Sequence, residues 1–379
     1  MANRRYGVSY KGSKSRIVEN LVDAIPYKGV DNFYDLFAGG CAVTHKMLLD
    51  GRYGHYYAND LNGQALRLFF DGIHGKYRNE RRWISRDDFF ALKDKDPYVA
   101  CCWSFGNNQR NYLYSRKIEP YKKACHYAIV FGDFSLLREL CPEVAGVCEE
   151  ALDGIEDTHE RRIRFGPTIV WWLKAYGTPE MVAGNPLYSS CHVKHDTKTR
   201  PKGTIRDLER LQSLERLESL ERLERLQSLE SLQRLERLQS LERLERLERL
   251  QSLERLESLE RLEISIQDYR DVKIKPCSVI YCDIPYKGTD GYCGNKKGES
   301  GFDHDAFYDW CCGQDELVLV SEYDMPGDRF TEVWRKKHVQ SLCAVKTSEV
   351  CERLFVPTRQ LGKYRDMMSA QKGLKLFES

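Results

Sequence analysis

Between Leu208 and Leu262 a leucine occupies every third position. The triplets are Leu-Glu-Arg, Leu-Gln-Ser and Leu-Glu-Ser, with one Leu-Gln-Arg, and Ile205 stands one step upstream in the same phase. An α-helix turns about 100° per residue, so leucines three apart drift by about 60° and cover every face within roughly 18 residues. A lone helix of that kind is apolar all round. A 3₁₀ helix aligns the leucines but is not sustained over such a length. A stacked solenoid buries each leucine against the next coil. The segment is therefore expected as a Leu-x-x triplet-repeat insertion, solenoid or helix, with the period favouring a solenoid. Pro201 and Gly203 mark its start, and Ile264-Ser265-Ile266 breaks the phase at its end. A tract of this regularity arises by slippage of whole codons, so it reads as a length-variable insertion and not as a catalytic part.

The other residues must supply the core. Hydrophobic residues make up 41% of the 379-residue chain and aromatic ones 11%, which excludes global disorder. A net charge of +2 excludes a basic coat or tail. No apolar run is long enough to span a bilayer, so no membrane partner is expected. Charged Met-Ala-Asn-Arg-Arg-Tyr is not followed by an apolar stretch, so no secretory leader is expected. The 14 cysteines then read as reduced thiols of a cytoplasmic protein. They form no C-x-x-C pair, and no metal site is expected.

Short apolar strands alternate with helical spacing. Residues 31–37 predict a strand ending in Ala38-Gly39-Gly40, and Cys41–Leu49 a helix. His55–Ala58 predicts a second strand, followed by helical Ala65–Ile73. Ser278–Cys282 and Glu316–Ser321 predict two more, and Glu349–Val356 an edge strand. Such alternation implies an α/β fold with a parallel, Rossmann-like sheet whose ligands bind at the carboxyl ends of strands. Residues 75–203, richer in aromatic, basic and cysteine residues, interrupt the alternation and read as an inserted domain. The expected organisation is 1–74 and 264–379 as two parts of one domain, 75–203 as the insertion and 204–263 as the repeat.

Four constellations lie at strand ends or turns. In Tyr10-Lys11-Gly12-Ser13-Lys14 small residues let backbone approach a ligand and Lys14 can meet a carboxylate; taken alone, a plain turn before a helix explains it better. In Asp35-Leu36-Phe37-Ala38-Gly39-Gly40 the glycines allow close approach of a nucleoside cofactor. Asp60 follows the second strand, where a carboxylate can accept two ribose hydroxyls or cap a helix beginning near Leu61, with Asn62 as the other cap. The most specific is Asp283-Ile284-Pro285-Tyr286. A carboxylate and a backbone carbonyl there can accept both hydrogens of a planar amine and turn its nitrogen lone pair toward an electrophile. Tyr286 can stack on the base, and Pro285 stiffens the loop.

In this order the four resemble the Dam-type (D12 class) DNA adenine-N6 methyltransferases, and among them phage-type members. The resemblance covers about residues 1–70 and 264–356, and the middle more loosely. It implies a methyltransferase sheet with an inserted target-recognition domain and S-adenosylmethionine as cofactor. Tyr10, Lys14, Asp35, Phe37, Gly39, Gly40 and Asp60 match its cofactor motifs, and Asp283, Ile284, Pro285 and Tyr286 its catalytic Asp-Pro-Pro-Tyr. Ile284 replaces a proline there, but the acceptor needed is a backbone carbonyl, which isoleucine also has. Asp268–Val272 and Ser321–Asp324 are similar to segments flanking the catalytic strand.

The resemblance further implies double-stranded DNA as partner and an adenine extruded from it. Trp103–Tyr112 holds Asn107, Asn108, Gln109 and Arg110, whose side chains pair bidentately with base edges; a polar loop over an aromatic core fits the same residues. Tyr114, Arg116, Lys117, Lys122 and Lys123, and Lys194, Lys198, Arg200 and Lys202, are expected phosphate contacts. A monomer belonging to a restriction-modification setting is expected. Two other readings stay open: a non-catalytic DNA-binding protein on a methylase scaffold, and a methylase of RNA or of cytosine N4.

Overall fold

Two segments, Ser278–Asp283 and Leu317–Glu322, carry Val, Ile, Leu, Tyr and Cys without polar alternation, the pattern of strands covered on both faces. In a computed structural model, which describes residues 6–10, 12–176, 246–247, 250–251, 259–286, 302–343 and 346–375, both lie in one seven-stranded sheet.

Along the chain come α1 (Val18–Val22), β1 (Asn32–Asp35), α2 (Ala42–Asp50), β2 (His55–Asn59), α3 (Gly63–Ile73), α4 (Arg86–Leu92) and α5 (Pro97–Cys102). Helices α6 (Glu119–Phe131), α7 (Ser135–Leu140), α8 (Pro142–Leu152) and α9 (Thr158–Tyr176) follow. Then come β3 (Leu262–Ser265), β4 (Ser278–Asp283), α10 (His304–Gly313), β5 (Leu317–Glu322), β6 (Phe330–Cys343), β7 (Lys346–Pro357) and α11 (Leu361–Lys375). Contacts divide the described residues into two units, one within 1–80, 89–110 and 246–379, the other within 81–88 and 111–245.

The first unit holds the sheet, in the order β3-β2-β1-β4-β5-β7-β6. Strands β1 to β5 are parallel, while β7 runs antiparallel to β5 and β6. The chain leaves β1 for β2 on one side and later places β4 on the other, so the order reverses at β1. That reversal opens a crevice at the carboxyl ends of β1 and β4. Beneath it, Tyr34, Ile280, Cys282, Phe307, Val318, Val320 and Phe355 form one buried cluster. Full burial of a side chain such as Phe307 contributes about 1.5–3 kcal/mol.

Three strands differ from the sequence reading. Glu349–Val356 was expected at an edge; it lies in β7, which is internal, and β6 forms the edge beyond it. The other edge is β3, whose first residue, Leu262, is the last leucine of the repeat and pairs with Tyr56. Earlier in the repeat, residues 246–247 and 250–251 are helical, with Leu247 and Leu250 buried. The guanidinium of Arg246 is also buried, and its Nη1 lies 3.3–3.5 Å from the carbonyls of Cys101, Cys102 and Ser104 at the end of α5. A cation there complements carbonyls left without helical partners. The rest of the repeat, and with it the choice between solenoid and helix, lies outside the described residues.

In the second unit α6 to α9 pack around Ala124, Ala128, Leu137, Val144, Ala145, Cys148, Phe165 and Ile169. Gly132, at φ +67°, ends α6, and Pro142 opens α8 where a missing N–H leaves nothing unpaired. No helix among the described residues is long and apolar enough to cross a membrane.

Candidate active site

The N-terminal segment crosses directly over the glycine turn. Val8 N donates to Gly40 O at 2.8 Å. A Cβ on Gly40 would lie 2.7 Å from both Val8 O and Tyr10 Cβ, and one on Gly39, at φ +49°, 2.8 Å from the Tyr10 ring. The glycines are thus required by Tyr10 and Val8, whatever ligand the turn also receives.

Asp60, just past β2, ties this turn down. Its Oδ2 accepts from Gly39 N and its Oδ1 from Asn62 N, each at 2.7 Å. Asn62 occupies the cap position of α3 without a side-chain bond to it. Burial raises the Asp60 pKa, against the two backbone donors. At the tip of β1, Asp35 is 1% exposed; its Oδ2 accepts from Thr44 Oγ1 at 2.7 Å. Its Oδ1 is buried with no partner among the described residues, and burial pushes this carboxyl up to about 7. Phe37 packs in an aromatic cluster with Tyr269, Phe302 and Phe307, at centroid distances of 5.4–5.7 Å.

Across the switch point, β4 ends in Asp283. Lys14 Nζ lies 2.8 Å from Asp283 Oδ1 and 2.6 Å from Tyr286 Oη. It also lies 3.0 Å from Oε1 of Glu352, a β7 residue that the sequence did not single out. Tyr286 Oη donates to Glu352, and the Tyr286 ring meets Tyr323 edge-on at 4.5 Å. Burial alone would lower the Lys14 pKa; Asp283 and then Glu352 hold it above its ordinary value. Burial also raises Asp283 and Glu352, opposed by Lys14. These directions agree, because buried Glu352 and half-buried Asp283 share one ammonium and the surplus negative charge favours every proton.

Ile284 is buried, and a ring nitrogen of His304 lies 3.0 Å from Pro285 O. His304 opens α10 and so buttresses the loop that lacks the second proline. The structure thus brings Tyr10, Lys14, Asp35, Gly39, Gly40, Asp60 and Asp283–Tyr286 to the carboxyl ends of β1, β2 and β4.

The expected DNA contacts divide. Asn107 and Gln109 have φ of +58° and +59° in a turn after α5, with Asn108 and Arg110 exposed beside them. Gln109 N donates to Ser104 Oγ at 3.0 Å. Trp103 and Tyr112, at the ends of this segment, are buried. In the second unit Arg116 and Lys117 are exposed and Lys123 half-buried. Lys122 is not available as a surface phosphate contact: it is 5% exposed, on the inward side of α6 with His126 and Ile129. Tyr114 is also buried, stacked on Trp83 at 5.7 Å. Lys194, Lys198, Arg200 and Lys202 lie outside the described residues.

A mixed α/β sheet with a glycine turn after its first strand, an acid after its second and Asp-Ile-Pro-Tyr after its fourth fits the class of nucleic-acid methyltransferases. Residues 10–142 match the model of the D12 class N6 adenine-specific DNA methyltransferase family, enzymes that methylate adenine in DNA. The match includes the glycine turn, Asp60 and the turn at 105–110, and stops before Asp283. No curated protein matches the chain.

Proposed function

We propose that the chain is an S-adenosylmethionine-dependent methyltransferase that acts on N6 of an adenine extruded from duplex DNA. The observation that carries this reading is the ion pair of Lys14 with Asp283, which joins the N-terminal motif to the catalytic loop beside the glycine turn.

The residues present fit the cofactor. Asp35 has an unpartnered buried oxygen, and Asp60 retains lone pairs beyond its two backbone donors. Asp35, Asp60 and Asp283 outnumber Lys14, so a cationic ligand relieves the charge surplus. Bound there, S-adenosylmethionine supplies a methyl group on a positively charged sulfur. Asp283 accepts one hydrogen of the adenine amine and the Ile284 carbonyl the other, which withdraws the nitrogen lone pair from conjugation with the ring. Lys14 favours the ionised, accepting form of Asp283. The Tyr286 ring bears on the base, with its hydroxyl held by Lys14 and Glu352. His304 keeps the Pro285 carbonyl in place. Catalysis here is positioning within a preorganised polar site. Residues 75–203 read the target through Asn107, Asn108, Gln109 and Arg110, and Arg116, Lys117 and Lys123 meet phosphates. The protein works in the cytoplasm as a monomer.

The test is incubation with labelled S-adenosylmethionine and adenine-containing duplex, followed by nucleoside analysis. N6-methyladenine from the parent chain and none from Asp283→Ala, with cofactor binding retained, supports the reading. No product from the parent chain overturns it in favour of a non-catalytic DNA-binding protein, and label on cytosine or RNA redirects it to another amine.

A further inference from the structure

Glu352 has no place in the motifs that suggested this site, yet it touches two of their residues. It sits on β7, is 3% exposed, and bonds both Lys14 and the Tyr286 hydroxyl. A single carboxylate, the half-buried Asp283, already suffices to pair Lys14. A second one adds desolvation that an apolar residue of similar volume would avoid. Its presence is therefore poorly explained by stability.

The chemistry of the amine supplies a reason. Asp283 Oδ1 is the nearer of the two carboxylate oxygens that Lys14 meets, and Asp283 must accept a hydrogen from the incoming base. An ammonium committed to Asp283 alone competes with the base for that carboxylate. We propose that Glu352 is a positioning residue for amine methylation: it takes up the Lys14 ammonium when the base amine engages Asp283, and it fixes the Tyr286 ring through its hydroxyl. The inference rests on the methyltransferase reading. In it Lys14 slides between two carboxylates that it already touches, no proton need move, and the net charge of the cluster is unchanged.

Two substitutions separate this role from packing. Glu352→Gln keeps the size and one acceptor but removes the charge. Glu352→Asp keeps the charge but is one methylene shorter. If charge is what matters, Glu352→Gln loses kcat on the order of tenfold or more while Glu352→Asp retains the greater share, with KM for S-adenosylmethionine unchanged in both. If Glu352 only fills space, the order reverses, and that result overturns the proposal. Thermal melting of each variant checks that both are folded. A second readout does not need turnover. Lys14 labelling by acetic anhydride, read by mass spectrometry, is expected to rise in Glu352→Gln relative to Glu352→Asp, because the neutral amine is the reactive form. Equal labelling overturns the claim that Glu352 holds Lys14. Failure of the methylation reading is distinct: it shows as a parent chain without product, whatever the labelling pattern.

Discussion

Lys14 and Asp283 stand 2.8 Å apart, one in the turn before the first strand and the other at the tip of the fourth. The turn before the first helix thereby meets the Asp283–Tyr286 loop. Lys14→Met leaves buried Glu352 and half-buried Asp283 without a cation. Removing one partner of a buried ion pair costs about 3–5 kcal/mol. A fall of that size in urea unfolding, with loss of methylation, is expected; unchanged stability would show that the pair is dispensable.

Asp35 gives a pH dependence. Its carboxyl titrates at about 7 when folded against an ordinary 3.8, so between these values the folded chain holds a proton that the unfolded chain releases. Stability from this group is full below pH 3.8 and is lost as pH rises through about 7. Asp35→Asn removes that slope. The difference between parent and variant unfolding free energies should change by about 4 kcal/mol across this window. A constant difference from pH 4 to 8 would refute the assignment.

Gly40→Ala places a methyl 2.7 Å from Val8 O and Tyr10 Cβ, and the backbone oxygen cannot swing aside as a side-chain tip would. The N-terminal segment must lift, carrying Tyr10 and Lys14 with it. Equilibrium dialysis with labelled S-adenosylmethionine should show at least about tenfold weaker binding, equivalent to roughly 1.4 kcal/mol.

Exposed Arg116 and Lys117 are expected to act through charge. Replacing both by alanine should weaken duplex binding equally for all sequences and reduce the slope of log K against log salt by about two. A selective loss for one target sequence would instead mark them as readers of bases.

Leu250, buried in the sheet-bearing unit, is a repeat leucine that has become core. Leu250→Ala should cost about 2–5 kcal/mol in chemical denaturation. A neutral outcome would mean that this end of the repeat does not support the sheet.

Strands with strong local signals were legible in the sequence. β4 and β5 are continuous apolar runs, and β1 and β2 end in small or acidic residues that open helices. β3 was not legible, because Leu262 reads as one more repeat leucine and only its pairing with Tyr56 makes it a strand. β6 was hidden by Arg335, Lys336 and Lys337, charges suited to an exposed edge. The charged residues Lys14, Asp35, Asp60 and Asp283 at the crevice were visible as motifs. Glu352 had one overlooked signal: it shares the parity of buried Leu354 and Val356, so it is a charge in the inward phase of a strand. Lys122 had a similar one, four residues before His126 and seven before Ile129 on a helix.

Arg246 and Leu247 occupy their seats as members of a tract in which Arg243-Leu244 and Arg249-Leu250 are chemically the same pair. Losing or gaining one Leu-Glu-Arg unit nearby therefore delivers an identical couple to the same carbonyls, and the downstream edge strand starts on a leucine as before. The tract is its own supply of spare parts, so its size can drift through generations while the junction it forms with the sheet-bearing unit stays constant.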